Sequence, residues 1–345
     1  MTICHVNLAR GFRGGERQTI LLIQELGKRG VGQVLVCRPD SPMIEMLTGV
    51  NDLKIHVANH FLLGHWAAPA CDLIHAHDAK GAHWAFWEHW FKGSKYLVTR
   101  RVPNRLKQNR ITRAVYAKAS ILVAISQAIA KQLTSYVRRE DIVVIPDMCS
   151  NLSLDTHVAQ KIGSTYRGAF VLGHIGALVD RHKGQGYLIE AARILHNEIP
   201  NLRLLFLGEG EDREKLQRQA ADLDFVEFLG FKKNVADYLS VFDLFVFPSL
   251  DEGLGSILLD VMQFSIPIIA TEVGGIPDVV THEETGLLIP PANVEAIVSA
   301  VKRLKENPHL AKSLSRSAAL KLDAYSPEAL TGRYMALYKK VKNEN

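Results

Sequence analysis

The sequence predicts an α/β protein built as two doubly wound domains, each a parallel sheet covered by helices. Three observations carry that prediction. Short apolar, β-branched runs alternate with longer amphipathic segments along the whole chain, the pattern of strand–helix–strand units. The alternation breaks once, in the polar and weakly periodic stretch DMCSNLSLDTHVAQKIGSTYRG, and then restarts. The length of 345 residues is also more than one core serves well, so two domains of ordinary size fit better.

In the first series the strands are ICHVNL, QVLVC, DLIHAH, KYLVT, ILVAI and IVVIP. Helices fit between them at about Glu16–Arg29, Lys80–Phe91, Asn109–Lys118 and Ser126–Val137, where apolar residues recur at helical spacing. The second series runs FVLGHIGAL, LRLLFLG, VEFLG, LFVFPS, IPIIAT and GLLIP, with helices at about Gln185–Glu198, Arg213–Asp222, Ser256–Phe264 and Val294–Glu306. The tail SPEALTGRYMALYKKVKNEN reads as a last helix, 326–342, with Ser326 as its N-cap and Glu328 in its first turn. The expected domains are 1–160 and 168–325, with the terminal helix a candidate to complete the first. They are expected to face a cleft, with ligands outside the carboxyl ends of the strands.

Composition narrows the function classes. Hydrophobic residues make up 47% and charged residues 22%, as in soluble globular enzymes, and no apolar run approaches the roughly 20 residues of a membrane span. The N-terminus shows no basic segment followed by an apolar stretch and a cleavage site, so no secretory signal is expected. Cys4, Cys37, Cys71 and Cys149 stand singly, without a Cys-x-x-Cys pair, and are expected as buried free thiols in a reducing cytosol. The net charge of +5 divides into +9 over residues 1–165 and −4 over the rest. The excess clusters at Arg100, Arg101, Arg105, Lys107, Arg110, Arg113 and Lys118, with Arg138 and Arg139 beyond. It is either a solvated basic surface or an attraction for an anionic partner such as a phosphorylated glycolipid or a membrane face. No motif with interleaved aromatics supports nucleic acid.

Several strand–helix junctions offer chemistry. In NLARGFRGGERQT, Gly11, Gly14 and Gly15 let the backbone approach a ligand beside a helix N-terminus, but the stretch lacks the Gly-x-Gly-x-x-Gly fingerprint of dinucleotide enzymes. In LIHAHDAKGAH, His75 and His77 fall on one face of a strand and Asp78 on the other, which fits a polar cleft site better than satisfied structural histidines, and either better than a metal site. The following HWAFWEHWF reads as a packed helix in preference to a membrane anchor. In GALVDRHKGQGYL, Arg181 and Lys183 stand just before a helix and can aim cations at an anion. FLGEGEDREKLQ sets Gly208 and Gly210 after a strand as a second glycine-lined edge. In SLDEGLGSILLDVM, Glu252 lies in a loop, the N–H groups of Gly255, Ser256 and Ile257 open a helix, and Asp260 sits one turn further in, roughly 6 Å along the axis. That spacing suits a phosphate at the helix tip with hydroxyls on either side, and suits a glycosidase pair of carboxylates less well.

Taken together these stretches resemble retaining glycosyltransferases of family 4, which have the GT-B fold of two Rossmann-like domains, and in particular those of bacterial lipopolysaccharide and surface-polysaccharide assembly. The matching segments are GFRGGERQ, HAHD, TRRVP, ALVDRHKG, LGEGEDREKL, FLGF, FPSLDEGLGSILLDVM, PIIATEVGGIPDVV and TGLLIPP. The resemblance implies that Glu252 holds hydroxyls of a donor sugar, that Asp260 binds the nucleotide ribose, and that Gly255, Ser256 and Ile257 take the diphosphate through their backbone. Lys183 would stabilise the leaving diphosphate. Gly14, Gly15, Gly208 and the Gly274-Gly275 turn would border the donor, and His77 would touch its sugar. The family commonly has Glu where Asp260 stands, and an Arg where Ala177 stands, for which Arg181 is the candidate substitute. Arg100, Arg101, Arg105 and Arg110 are assigned to an acceptor or an anionic membrane surface. The implied activity is sugar transfer from a nucleotide-diphosphate sugar to a saccharide or glycolipid, with no metal and no cofactor, in the cytoplasm or at the inner face of the membrane. Two alternatives stay open: a nucleotide-sugar 2-epimerase of the same fold, and a non-catalytic nucleotide-sugar binding protein.

Overall fold

The computed structural model describes residues 1–343, which form two units. One comprises Met1–Met148 together with the chain from Ala324 onward, the other Cys149–Asp323.

The first unit is a seven-stranded, all-parallel sheet: β1 (Thr2–Asn7), β2 (Gly32–Cys37), β3 (Leu53–Val57), β4 (Leu73–Ala76), β5 (Tyr96–Arg100), β6 (Ile121–Ala124) and β7 (Val143–Val144). Their spatial order is β3-β2-β1-β4-β5-β6-β7. The central strands are buried on both faces and so read as unbroken apolar runs. β3 was not expected, because at the sheet edge LKIHV leaves three of its five residues exposed and carries little apolar signal. The helix Ser326 opens, Pro327–Asn343, belongs to this unit, where Leu330, Tyr334, Tyr338 and Val341 pack against Ile3, Leu22, Leu73 and Leu97. Ser326 accepts from the Ala329 N–H at 3.2 Å, as an N-cap should.

The second unit is a six-stranded parallel sheet: β8 (Phe170–Ile175), β9 (Leu202–Leu207), β10 (Val226–Gly230), β11 (Leu244–Phe247), β12 (Ile268–Thr271) and β13 (Leu287–Ile289), ordered β10-β9-β8-β11-β12-β13. Its core joins sheet residues such as Leu204, Phe206 and Val246 to Leu188, Ala192 and Leu195 of the helix Gln185–His196. The unit begins at Cys149, within the stretch expected as a linker, because part of that stretch folds. Asp155 caps a helix, Thr156–Thr165, by accepting from the His157 and Val158 N–H groups, and its own N–H is held by Asp237 at 2.9 Å.

In each sheet the strand order reverses once, between β1 and β4 and between β8 and β11. Loops leaving the carboxyl ends of these strand pairs diverge to opposite faces and open a crevice, the usual ligand position in doubly wound sheets. The sequence-marked loops after β1, β4, β8 and β11 all lie there.

Candidate functional site

In the second unit the crevice is furnished by the loops after β8 and β11. A single helical turn, Asp180–Lys183, follows β8, and Glu252 follows β11. The Lys183 ammonium and the Glu252 carboxylate form an ion pair, their side chains only 20% and 16% exposed. The ammonium also lies 5.1 Å from the centroid of the Phe247 ring, a cation–π contact at the end of β11. Glu252 is positioned from three sides. Its Oε1 accepts from the Gly253 N–H at 3.2 Å, its carbonyl accepts from the Gly275 N–H at 3.2 Å, and Gly274 presses against that carbonyl. With φ at +54°, a Cβ on Gly274 would stand 1.9 Å from the Glu252 carbonyl oxygen. Gly208, with φ at +139°, packs in the same manner on the Gly176 carbonyl oxygen, 1.9 Å from its would-be Cβ. The glycines after β9 and β12 therefore let neighbouring loops touch.

Beneath Lys183 a second layer fixes the loop after β8. His174 donates from Nδ1 to the Val246 carbonyl at 3.0 Å, so its Nε2 accepts from the Gln185 amide at 3.4 Å. That amide also donates to the Ala177 carbonyl at 2.8 Å. Burial, with the nearby Lys183 charge, lowers the His174 pKa to about 4, so the ring is a neutral strut. Sequence reasoning missed His174, Gln185 and Phe247. The legible signal was a histidine in the middle of an apolar strand, followed by a glutamine at the buried start of a helix.

The remaining sequence-marked residues of this unit are placed as follows. The helix after Gly255 and Ser256 runs Ile257–Gln263, and the Leu258 and Leu259 N–H groups turn back onto the Gly255 and Ser256 carbonyls. Asp260 is 4% exposed and accepts from the Ser150 N–H at 3.1 Å, so it anchors the start of the unit. Arg181 diverges from Lys183: it pairs with Glu211 at 2.9 Å and is 69% exposed.

In the first unit, Gly14 and Gly15 open the helix Gly14–Lys28, which Arg13 and Glu16 cap through a 2.8 Å bond from the Arg13 N–H. Gly14 is open, and Gly15 faces the Arg101 side chain. Asp78 caps the helix Ala79–Lys92, accepting from Gly81 and Lys80 N–H groups and from Leu8 at 2.9 Å. His75 and His77 share a face, as the alternation required, with ring centroids 3.9 Å apart. A third imidazole, His5, joins them, since β1 and β4 pair with His5 opposite His75.

These rings form a hydrogen-bond chain whose protons can be assigned from both ends. Gln33 donates its amide to the Ile23 carbonyl at 3.0 Å, so its Oε1 accepts from His5 Nε2 at 3.1 Å. His5 is buried and neutral, its pKa lowered to about 3, so its Nδ1 is an acceptor and takes the proton of His77 Nε2 at 3.0 Å. His77 Nδ1 then carries a lone pair. From the other end, the Arg101 guanidinium can only donate, and it stands 3.4 Å from that same Nδ1. Both readings give one tautomer. Burial first, then the neighbouring His75, Arg101 and His5, hold the His77 pKa well below the usual histidine value. His75 is likewise engaged, by Tyr338 and Thr99 at 2.7 Å each. A metal ion would have to displace these bonds beside a guanidinium, so the donor set does not suit one.

The basic residues separate into two groups. Arg101 is drawn inward by Asp147 at 3.2 Å, and Arg100, 6% exposed, bonds Tyr116 and the Asn104 carbonyl, so neither presents a charge on an outer face. Arg105 and Arg110 are exposed. The aromatic helix after His77 is divided too: Trp84 is buried, whereas Trp90 and Phe91 are 71% and 56% exposed.

With the geometry in place, comparison with known proteins is informative. The structure of Anabaena HepE in complex with UDP-glucose superposes with a TM-score of 0.86 at 19% identity, covering 99% of this chain and 100% of that one. The class is thus that of the GT-B glycosyltransferase fold, two Rossmann-like units in one chain. The family model described as "Glycosyltransferase Family 4" matches residues 12–148, and "Glycosyl transferases group 1" matches residues 169–307. The chain belongs to glycosyltransferase family 4. Among its relatives are two lipopolysaccharide core biosynthesis glycosyltransferases of Rhizobium meliloti. LpsD is 29% identical over 70% of this chain and 72% of its own length, and LpsE is 24% identical over 98% of each.

Proposed function

We propose that the protein is a retaining glycosyltransferase that moves a sugar from a nucleotide-diphosphate sugar onto a saccharide or glycolipid acceptor in lipopolysaccharide or surface-polysaccharide assembly. The observation that carries this reading is the Lys183–Glu252 pair at the point where the second sheet reverses its strand order. The lipopolysaccharide relatives and the UDP-glucose complex of HepE support the acceptor and donor classes.

Breaking the bond between the anomeric carbon and the diphosphate oxygen builds positive charge on the sugar ring and negative charge on the departing phosphate. A half-buried ammonium stabilises that negative charge more than it would in water. Lys183 takes this role, exchanging its carboxylate partner for the phosphate, and Glu252, so released, accepts from sugar hydroxyls. The backbone of Gly255, Ser256 and Ile257 meets the diphosphate, with Gly208, Gly274 and Gly275 at its borders, and Asp260 meets the ribose after giving up the Ser150 N–H. In the first unit, Gly14 and Gly15 open a helix N-terminus, and the His77 Nδ1 lone pair, which faces the Arg101 guanidinium, takes a hydroxyl donor only by displacing it. Arg181, paired with Glu211, supports the site only if that pair opens. The departing phosphate accepts the acceptor's proton as the new bond forms on the face it leaves, and the step uses no metal or cofactor.

We place the enzyme at the inner face of the membrane as a peripheral protein. Among the described residues no helix is long and apolar enough to cross a membrane. The exposed Arg110 and the exposed Leu62, Leu63, Trp66, Trp90 and Phe91 support surface attachment. Charge reversal at Arg110 combined with Trp66→Ala is expected to reduce sedimentation with anionic vesicles, and undiminished binding refutes the attachment. For the reaction, Glu252→Gln is expected to lose sugar transfer while keeping the fold; full transfer by this variant overturns the site.

A further inference from the structure

A second concavity lies in the first unit, well separated in sequence from the loops after β1 and β4. It has a volume of about 590 Å3 and is walled by the loop after β5, the helix Arg110–Ala117 and the helix Gln127–Val137. That is within the roughly 300–1,000 Å3 of small-ligand sites. Four cations line it, Arg105, Arg113, Lys131 and Arg138, and no carboxylate does.

Arg139, next in sequence, is tied to Asp141 at 2.6 Å and to the Ala119 carbonyl at 2.6 Å. Arg100 is bonded inside the unit. Among the described residues, none of the four lining cations has an acidic partner, so their exposed charges are open to an anionic ligand. Arg138 adds a backbone cost. It ends the helix Gln127–Val137 in the left-handed region, with φ at +56°, where a glycine would be unstrained.

The rest of the wall identifies the ligand's chemistry. Gln132 offers an amide, and Tyr136 a ring whose hydroxyl is fixed by donation to the Lys107 carbonyl at 2.6 Å. Amides and a half-buried aromatic face suit sugar hydroxyls and a sugar ring, and guanidinium groups suit phosphate oxygens. The surface is concave, and a bilayer needs a flat or protruding one. We propose that this cavity binds a saccharide carrying two phosphate groups. The site is distinct from the Lys183–Glu252 pair and does not depend on the transferase reading.

The test is titration calorimetry with fructose 1,6-bisphosphate as the probe, against wild type, Arg113→Ala, Lys131→Ala and Lys183→Ala, with inorganic phosphate and unphosphorylated fructose in parallel. Both cavity variants remove exposed side chains, and circular dichroism checks that they fold. The bisphosphate is expected to bind wild type and Lys183→Ala alike, and to bind each cavity variant about tenfold more weakly, the loss of one charge-assisted contact. Phosphate is expected to bind far more weakly and fructose not at all. Binding unchanged in both cavity variants, binding lost in Lys183→Ala, or equal affinity for inorganic phosphate overturns the proposal. So does an absence of bisphosphate binding alongside attachment to phosphatidylglycerol vesicles that the two cavity variants abolish, which would make the surface a lipid-headgroup site.

Discussion

Three buried imidazoles in the first unit make its stability steeply dependent on pH. His5, His75 and His77 are at most 3% exposed, and burial is the main cause that lowers each pKa, to about 3 for His5. In the unfolded chain each returns to an ordinary value near 6.5. Because the folded pKa is depressed, the unfolded state takes up the protons as pH falls. The contribution is therefore full above about pH 6.5, declines below it, and for His5 levels off only near pH 3. For His5 this is ~1.4 kcal/mol per pH unit in that window, or ~2 kcal/mol between pH 6.5 and 5, and His75 and His77 act in the same direction. Removing one of them isolates its share. His5→Phe keeps a ring on β1 but strips Gln33 Oε1 and the His77 Nε2 proton of their partner, which costs ~1–3 kcal/mol for each group at pH 8. It also removes one proton from the uptake, so its stability falls less steeply with acid. All four tryptophans, Trp66, Trp84, Trp87 and Trp90, belong to the first unit, so urea unfolding followed by tryptophan fluorescence reports on that unit alone. Parallel stability–pH curves for the two proteins between pH 8 and 5 would refute the assignment of His5 as a buried neutral acceptor.

Other expectations follow from single contacts. Gly274→Ala places a methyl against the Glu252 carbonyl in a left-handed backbone, costing on the order of 1–2 kcal/mol from the backbone alone. Both thermal stability and transfer should fall, and a variant with wild-type transfer would show that Glu252 does not need that clamp. Of the four thiols only Cys71 is partly exposed, while burial raises Cys37 to about 11. A thiol reagent should therefore modify one cysteine quickly in the native protein and the rest only on unfolding; rapid reaction of all four would contradict the packing of β1 and β2.

The sheet cores were legible because parallel strands covered on both faces leave apolar runs that helices cannot imitate at that length. β3 escaped because an edge strand with exposed residues has no such run, and the helix Thr156–Thr165 escaped because its signal was its cap, Asp155, more than its periodicity. At the site, Lys183 and Glu252 were visible as charged residues beside glycines. Their pairing was not, because it depends on β8 and β11 becoming neighbours across 69 residues. The same holds for His5, whose place beside His75 is a register between strands 70 positions apart in a pairing no local pattern encodes. The basic cluster shows the converse. Arg100 and Arg101 are indistinguishable from Arg105 in sequence, yet the first two are held inside the unit by Tyr116 and Asp147.

The central claim is that Lys183 stabilises the departing diphosphate. Its most direct test is the turnover of Lys183→Ala on a nucleotide-sugar donor such as UDP-glucose with a saccharide acceptor, compared with wild type at saturating donor. The account predicts acceptor-dependent nucleotide release by wild type and a loss of roughly 100-fold or more in kcat for the variant, the usual weight of one preorganised charge aimed at a leaving group. Turnover of Lys183→Ala within a few fold of wild type would contradict it.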